Sequence, residues 1–159
     1  MKIPANLKHK PVIVSESYDK IDGRYFENSD AKGLSLGLAQ WNERGKVDIS
    51  AKIWRHTGEK WSRQSEEMPL HRVIDLAILI ARSKVFFAER YHKSAKDYKD
   101  YPLLERIRMQ GGAMNVAVCE DNEHIKEDIE LFEESLRKDD EFLAERLKTL
   151  SGLLKDLGY

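Results

Sequence analysis

Hydrophobic positions fall into two regimes along the 159-residue chain. The front is written in steps of two. Pro11 to Glu16, PVIVSE, is a short β-branched run, followed by a polar, turn-rich stretch from Asp19 to Gly33. From Leu34 to Trp41 the chain alternates, with Leu34, Leu36 and Leu38 on one side and Ser35, Gly37, Ala39 and Trp41 on the other. Val47 to Trp54 alternates again: Val47, Ile49, Ala51 and Ile53 against Asp48, Ser50, Lys52 and Trp54. Period-two alternation predicts half-buried strands. Asn42–Gly45 reads as the hairpin connection, HTGEK as a second turn around Gly58, and Trp61–Glu66 as a charged edge strand closing a meander. A helix from Ala31 is the weaker alternative for the first alternating run, because Gly33 and Gly37 would lie inside it.

The rest is written in helical periods. Leu70 to Tyr91 is apolar nearly all round, which predicts a helix starting at Pro69 and buried on several sides. Farther on, Ile129, Leu136, Leu143, Leu150 and Leu157 recur every seven residues. That spacing predicts one long amphipathic helix over about 122–157, with a kink near Lys138–Asp140. Between them, Leu103–Gln110 reads either as a short helix stopped by Gly111 and Gly112 or as the first strand of a hairpin with Ala113–Cys119. The expected architecture is α+β. An antiparallel meander of about four strands (1–68) packs its Leu/Ile face on the central helix (69–91), and a connector (92–121) leads to the C-terminal helix (122–157). All of it is expected to form a single domain.

Composition narrows the setting. No apolar run approaches a membrane span, and the first residues, MKIPANLKHKPV, lack the apolar stretch of a signal peptide. Cys119 is the only cysteine, so no internal disulfide forms. Both points favour a reducing, cytoplasmic home. Net charge is −1, yet residues 1–119 carry 21 basic and 15 acidic side chains, and residues 120–159 carry 6 and 13. A basic front suits a polyanion partner, while an acidic helix face suits plain solvation.

Three chemical readings compete. In the first, Trp41, Lys52, Trp54, Arg55, Trp61 and Arg63 form a platform on the sheet face opposite the leucines. Unpaired bases would stack on the indoles, and the cations would hold phosphates. Against it stands the possibility that this face is a second core. In the second, the heptad helix pairs with its copy in a homodimeric interaction module. In the third, His71 and Asp75, one helical turn apart, join Arg63, Glu66 and Glu67 in a small-molecule site. An ordinary first-turn salt bridge involving Arg72 explains that pair equally well. No cofactor is expected, since neither a glycine-rich dinucleotide fingerprint nor a phosphate-loop lysine occurs. No metal site is expected either. His9, His56, His71, His92 and His124 lack ligand spacing, and Cys119 with His124 is not a standard pairing.

LSLGLAQWNERGKVDISAKIWR, then a charged strand and an apolar helix, resembles the single-stranded-DNA-binding domain of the coactivator known as positive cofactor four. The resemblance lies in Leu34–Asn42, Asp48–Trp54 and the helix after Pro69. It implies a curved antiparallel sheet that binds single strands, often as a dimer. QSEEMP departs from it, replacing the family's lysine–glycine step with Glu66 and Glu67, which repel phosphates. LGLAQW and WSRQSEEMPLHR also resemble an uncharacterised bacterial family of similar length, from which no activity follows. The expected function is a non-catalytic binding module.

Overall fold

The computed structural model describes residues 2–92, 103–119 and 121–159. The chain divides into two compact units, Met1–Ala77 and Ile78–Tyr159. Among the described residues the fold is α+β, with a four-stranded antiparallel sheet, a separate two-stranded hairpin and three α-helices.

In the first unit, β1 (Lys10–Glu16), β2 (Ala31–Leu38), β3 (Ile49–Arg55) and β4 (Glu67–Pro69) pair in sequence order, each antiparallel to the last. The alternating runs are therefore strands, as their period requires. Leu38 faces Ile49, Leu36 faces Ala51, and Ser35 faces Lys52. The β2–β3 loop is pinned by Asn42, whose side chain accepts from Asp48 N–H at 2.8 Å and donates to Asp48 C=O at 3.0 Å. Gly45, at φ 84°, supplies the left-handed turn residue there. The last strand differs from expectation. It is the three-residue Glu67–Pro69, while Trp61 only bridges His56 across the Gly58 turn. Trp61–Glu66 has no apolar alternation to hold a longer ladder, so only the residues just before the helix register with Ser50–Lys52.

α1 (Leu70–His92) begins directly after Pro69. Many of its apolar side chains, Val73, Ile74, Leu76, Leu79, Ile80 and Val85, are exposed, so the expected burial on several sides is not found.

In the second unit, the segment left open between helix and hairpin is a hairpin. β5 (Leu103–Met109) pairs with β6 (Gly112–Ala117), with Gly111 at φ 83° in the turn. α2 (Ile125–Lys138) and α3 (Asp140–Asp156) follow, broken at Asp139 where the kink was expected. Phe87 of α1 meets Phe132 of α2, with ring centroids 5.6 Å apart. An ion pair joins Lys84 to Asp140, and another joins Arg82 to Glu105 at 2.5 Å. The seven-residue seam is covered unevenly. Ile129 is buried, Leu136 and Leu143 are half-buried, and Leu150 and Leu157 are exposed. Among the described residues, no helix is long and apolar enough to cross a membrane.

Candidate functional site

The sheet of the first unit buries the face that its side chains mark as the less apolar one. Along β2 and just past it, Ala31, Gly33, Ser35, Gly37 and Ala39 are all buried, while Leu36 and Leu38 between them are exposed. The cause is close approach by the N-terminal segment. A Cβ on Gly37 would lie 2.1 Å from the Lys10 carbonyl oxygen and 2.8 Å from Pro11 Cα. One on Gly33 would lie 2.7 Å from Ile3 Cδ1. Backbone can lie this near a sheet only over residues without side chains. The start of β1 thus presses its backbone on Gly37 and the Ile3 side chain lies on Gly33, while His9, just ahead of β1, reaches into the middle of that face.

His9 is completely buried and organises a network drawn from three strands. Its Nε2 lies 2.9 Å from Ser35 Oγ, and its Nδ1 lies 3.1 Å from Glu67 Oε1 and 3.2 Å from Ser50 Oγ. Glu67 Oε1 also accepts from the Ser50 hydroxyl at 2.7 Å and from Gln40 N–H at 2.9 Å. Lys52 Nζ reaches Glu67 Oε2 at 3.5 Å and sits 4.5 Å from the centroid of the Trp54 ring. Trp54, only 2% exposed, donates its Nε1–H to Ser35 Oγ at 2.8 Å. One hydrogen assignment closes the network: Trp54 to Ser35, Ser35 to His9 Nε2, and His9 Nδ1–H to Glu67. Each buried polar group then has a partner, which is the condition for tolerating it inside.

Burial alone would disfavour ionised Glu67. The hydrogen bonds from Gln40, Ser50 and His9 outweigh it and hold the carboxyl below its usual range. At the rim of the sheet, Arg55 donates to Asp30 at 2.7 Å and to Glu66 through Nη2 and Nε at 2.7 and 3.1 Å. Arg55 lowers the Glu66 carboxyl by hydrogen bonding, and Glu66 in turn raises the guanidinium above its ordinary value.

Serine, histidine and glutamate in this order have the connectivity of a nucleophilic relay. The placement opposes that chemistry. Ser35 and His9 are buried, and His9 rides on the segment that covers Ser35. Lifting the segment to admit a substrate would remove the base from the nucleophile. The cluster's evident role is to fasten the N-terminal segment to the sheet.

The six platform residues are dispersed by the same arrangement. Lys52 and Trp54 do lie opposite the leucines, but inside the protein, with Lys52 paired to Glu67. This corrects the expectation of an open face. Trp61 is half-buried, its ring edge-on to Trp54 at 6.0 Å and to His56 at 5.1 Å. Arg55 is held between two carboxylates. Trp41 is exposed at the β2–β3 loop, its Nε1–H donating to Asp48 at 3.0 Å, and Arg63 is exposed. His71 is exposed and, among the described residues, shares no hydrogen bond with Asp75. Glu66 and Glu67, read together as one acidic pair, serve two separate networks.

Sequence reasoning missed His9, Ser35 and Ser50 as partners of Glu67. A signal existed in the small residues at 31, 33, 35, 37 and 39, a stripe that invites close packing by backbone. A family model described as a family of unknown function (DUF6530) matches residues 1–159. The chain belongs to this family. This agrees with the resemblance to an uncharacterised family. No curated protein and no solved structure matches the chain, and the likeness to positive cofactor four has no counterpart in these comparisons.

Proposed function

We propose that this member of the DUF6530 family is a non-catalytic interaction module that associates through the apolar face of its four-stranded sheet. The observation that carries the reading is the state of that face. Ile13, Leu36, Leu38 and Ile49 are 62, 44, 40 and 56% exposed, and the strand register makes them neighbours. Together these four leave open on the order of 400 Å² of apolar surface. That is the size of the largest apolar patch on a typical monomer, a patch that is often functional, and about half of the roughly 800 Å² each partner gives a standard interface. The opposite face needs no partner, since the N-terminal segment already satisfies it. Lysine and arginine stand at the margins of the open face, Lys10 opposite Leu38 on β1 and Arg55 at the end of β3, and not across its middle. Its outward residues on β2 and β3 are Leu34, Leu36, Leu38, Ile49, Ala51 and Ile53.

Sedimentation across a range of concentrations tests this. The expected result is a self-associated species that Leu36→Lys shifts to the 18.5 kDa monomer, while Leu153→Lys on the exposed part of α3 leaves it intact. Dissociation by Leu153→Lys instead would transfer the role to the heptad helix. A monomer at all concentrations would refute the reading.

Single-stranded nucleic acid is the second reading, favoured by the exposure of Trp41 and Arg63. A remaining site of this kind lies at the loops rather than on the sheet. Titration with labelled single strands at two salt concentrations tests it. Binding that weakens with salt and with Trp41→Ala would support it.

A further inference from the structure

We infer that the cleft between α1 and the α2–α3 break binds a small organic carboxylate with an aromatic or branched alkyl body. The site lies wholly within the second unit and is independent of the association through the sheet face. Lys84, Phe87 and Ala88 share one face of α1, and Glu133, Leu136 and Arg137 share one face of α2, each set at three- and four-residue spacing. Asp140, the first residue of α3, stands at the end of the cleft. Together they line a cavity of about 320 Å³, at the lower end of the range of small-molecule pockets. Two contacts brace it. Phe132 packs on Phe87 with ring centroids 5.6 Å apart, and an ion pair ties Lys84 of α1 to Asp140 of α3.

The lining selects the class of ligand. Phe87, Ala88 and Leu136 make the walls apolar, which favours a hydrophobic body over a sugar or a nucleotide. The charges around them are engaged in all cases but one. Lys84 and Asp140 neutralise each other. Glu133 has an interaction of its own, and the neighbouring acid Glu134 is taken by Lys138 at 2.8 Å. Arg137 is left. It is exposed, and among the described residues its guanidinium makes no hydrogen bond or ion pair. A guanidinium offers a planar fork of N–H donors that matches a carboxylate with two parallel bonds, and here no existing pair has to break to make them. The Lys84 ammonium on the facing helix adds to the attraction for an anion. A cationic ligand would meet Arg137 while every nearby acid already has a partner.

Titration of the full chain with phenylbutyrate tests the site, with phenylbutanol and phenylbutylamine as its neutral and cationic counterparts and calorimetry or NMR as the readout. Saturable binding of the carboxylate is expected with a dissociation constant on the order of 1 mM, as suits so few atoms. The alcohol is expected to bind about tenfold more weakly, and the amine not at all. Arg137→Ala is expected to weaken the carboxylate about tenfold and to leave the alcohol unchanged. Ala88→Trp fills the cleft and is expected to abolish binding of both. Ala88 and Arg137 are exposed, so neither substitution disturbs a packed core. Leu36→Lys, on the sheet face, is expected to bind like wild type. Equal affinity for carboxylate and amine, or an Arg137→Ala protein that binds like wild type, overturns the choice of ligand. Binding kept in Ala88→Trp and lost in Leu36→Lys puts the ligand on the sheet and overturns the site, as does the absence of saturable binding.

Discussion

The two faces of the four-stranded sheet invert the usual relation between side-chain type and burial. One face carries Gly33, Ser35, Gly37, Ser50, Lys52, Trp54 and Glu67 and is covered. The other carries Leu34, Leu36, Leu38, Ile49 and Ile53 and is open or half-open. The covered face is buried because its small residues admit a backbone and its polar groups bond to one another. Among the described residues the apolar face is left largely open, and burying its exposed leucines and isoleucines would yield about 25 cal/mol per Å² of apolar area. Contact is thus settled by what can approach a surface as much as by the surface's affinity for water.

The sharpest way to break this contrast is Glu67→Ala. It strips the buried Lys52 ammonium and the His9 ring of their shared acceptor and is expected to cost about 3–5 kcal/mol, read from urea midpoints. An unchanged midpoint would mean that the polar face is not held by its network. Gly37→Ala comes next, at about 3 kcal/mol, because the new Cβ meets the Lys10 and Pro11 backbone rather than a flexible side chain. Gly33→Ala is milder, since the Ile3 side chain can shift. Calorimetric melting of both variants checks that order, and equal melting temperatures would remove the close approach from the explanation.

Acid sharpens the comparison further. The folded Glu67 carboxyl titrates below its unfolded value of about 4.3. Its contribution is complete above the unfolded value and disappears as pH falls through the folded one. Wild type should lose stability between about pH 5 and 3 more steeply than Glu67→Gln, which carries no such group. Denaturant midpoints at several acidic pH values, giving parallel curves for the two proteins, would refute the assignment.

Ser35→Ala leaves the Trp54 indole and His9 Nε2 without their common partner and should cost about 1–3 kcal/mol. Smallest of all is Arg55→Ala. Its pairs with Asp30 and Glu66 are solvent-screened at the sheet rim, so a change within about 1 kcal/mol is expected in thermal melts.

Much of the backbone was legible in local pattern. Alternation at 34–41 and 47–54 located β2 and β3. The seven-residue recurrence from Ile129 located α2 and α3, and Asp139 in the seam marked the break between them. These are short-range properties, set by the period of side chains along a strand or helix. Gly111 and Gly112 left the 103–119 segment open between two structures, because glycine serves a helix end and a hairpin turn alike.

Which side of the sheet would be inside was not legible in the alternation, since period two identifies two faces without saying what lies on either. That was decided by His9, 26 residues from Ser35 and 58 from Glu67 along the chain. Contacts at such separations leave no periodic trace. They depend on the path of the N-terminal segment across Gly33 and Gly37. The sequence by itself determined the strands, the helices and the existence of an apolar and a polar sheet face. Only the tertiary structure decided that the polar face would be sealed, because only there do the clearance over two glycines and the hydrogen-bonding capacity of one histidine meet in the same place.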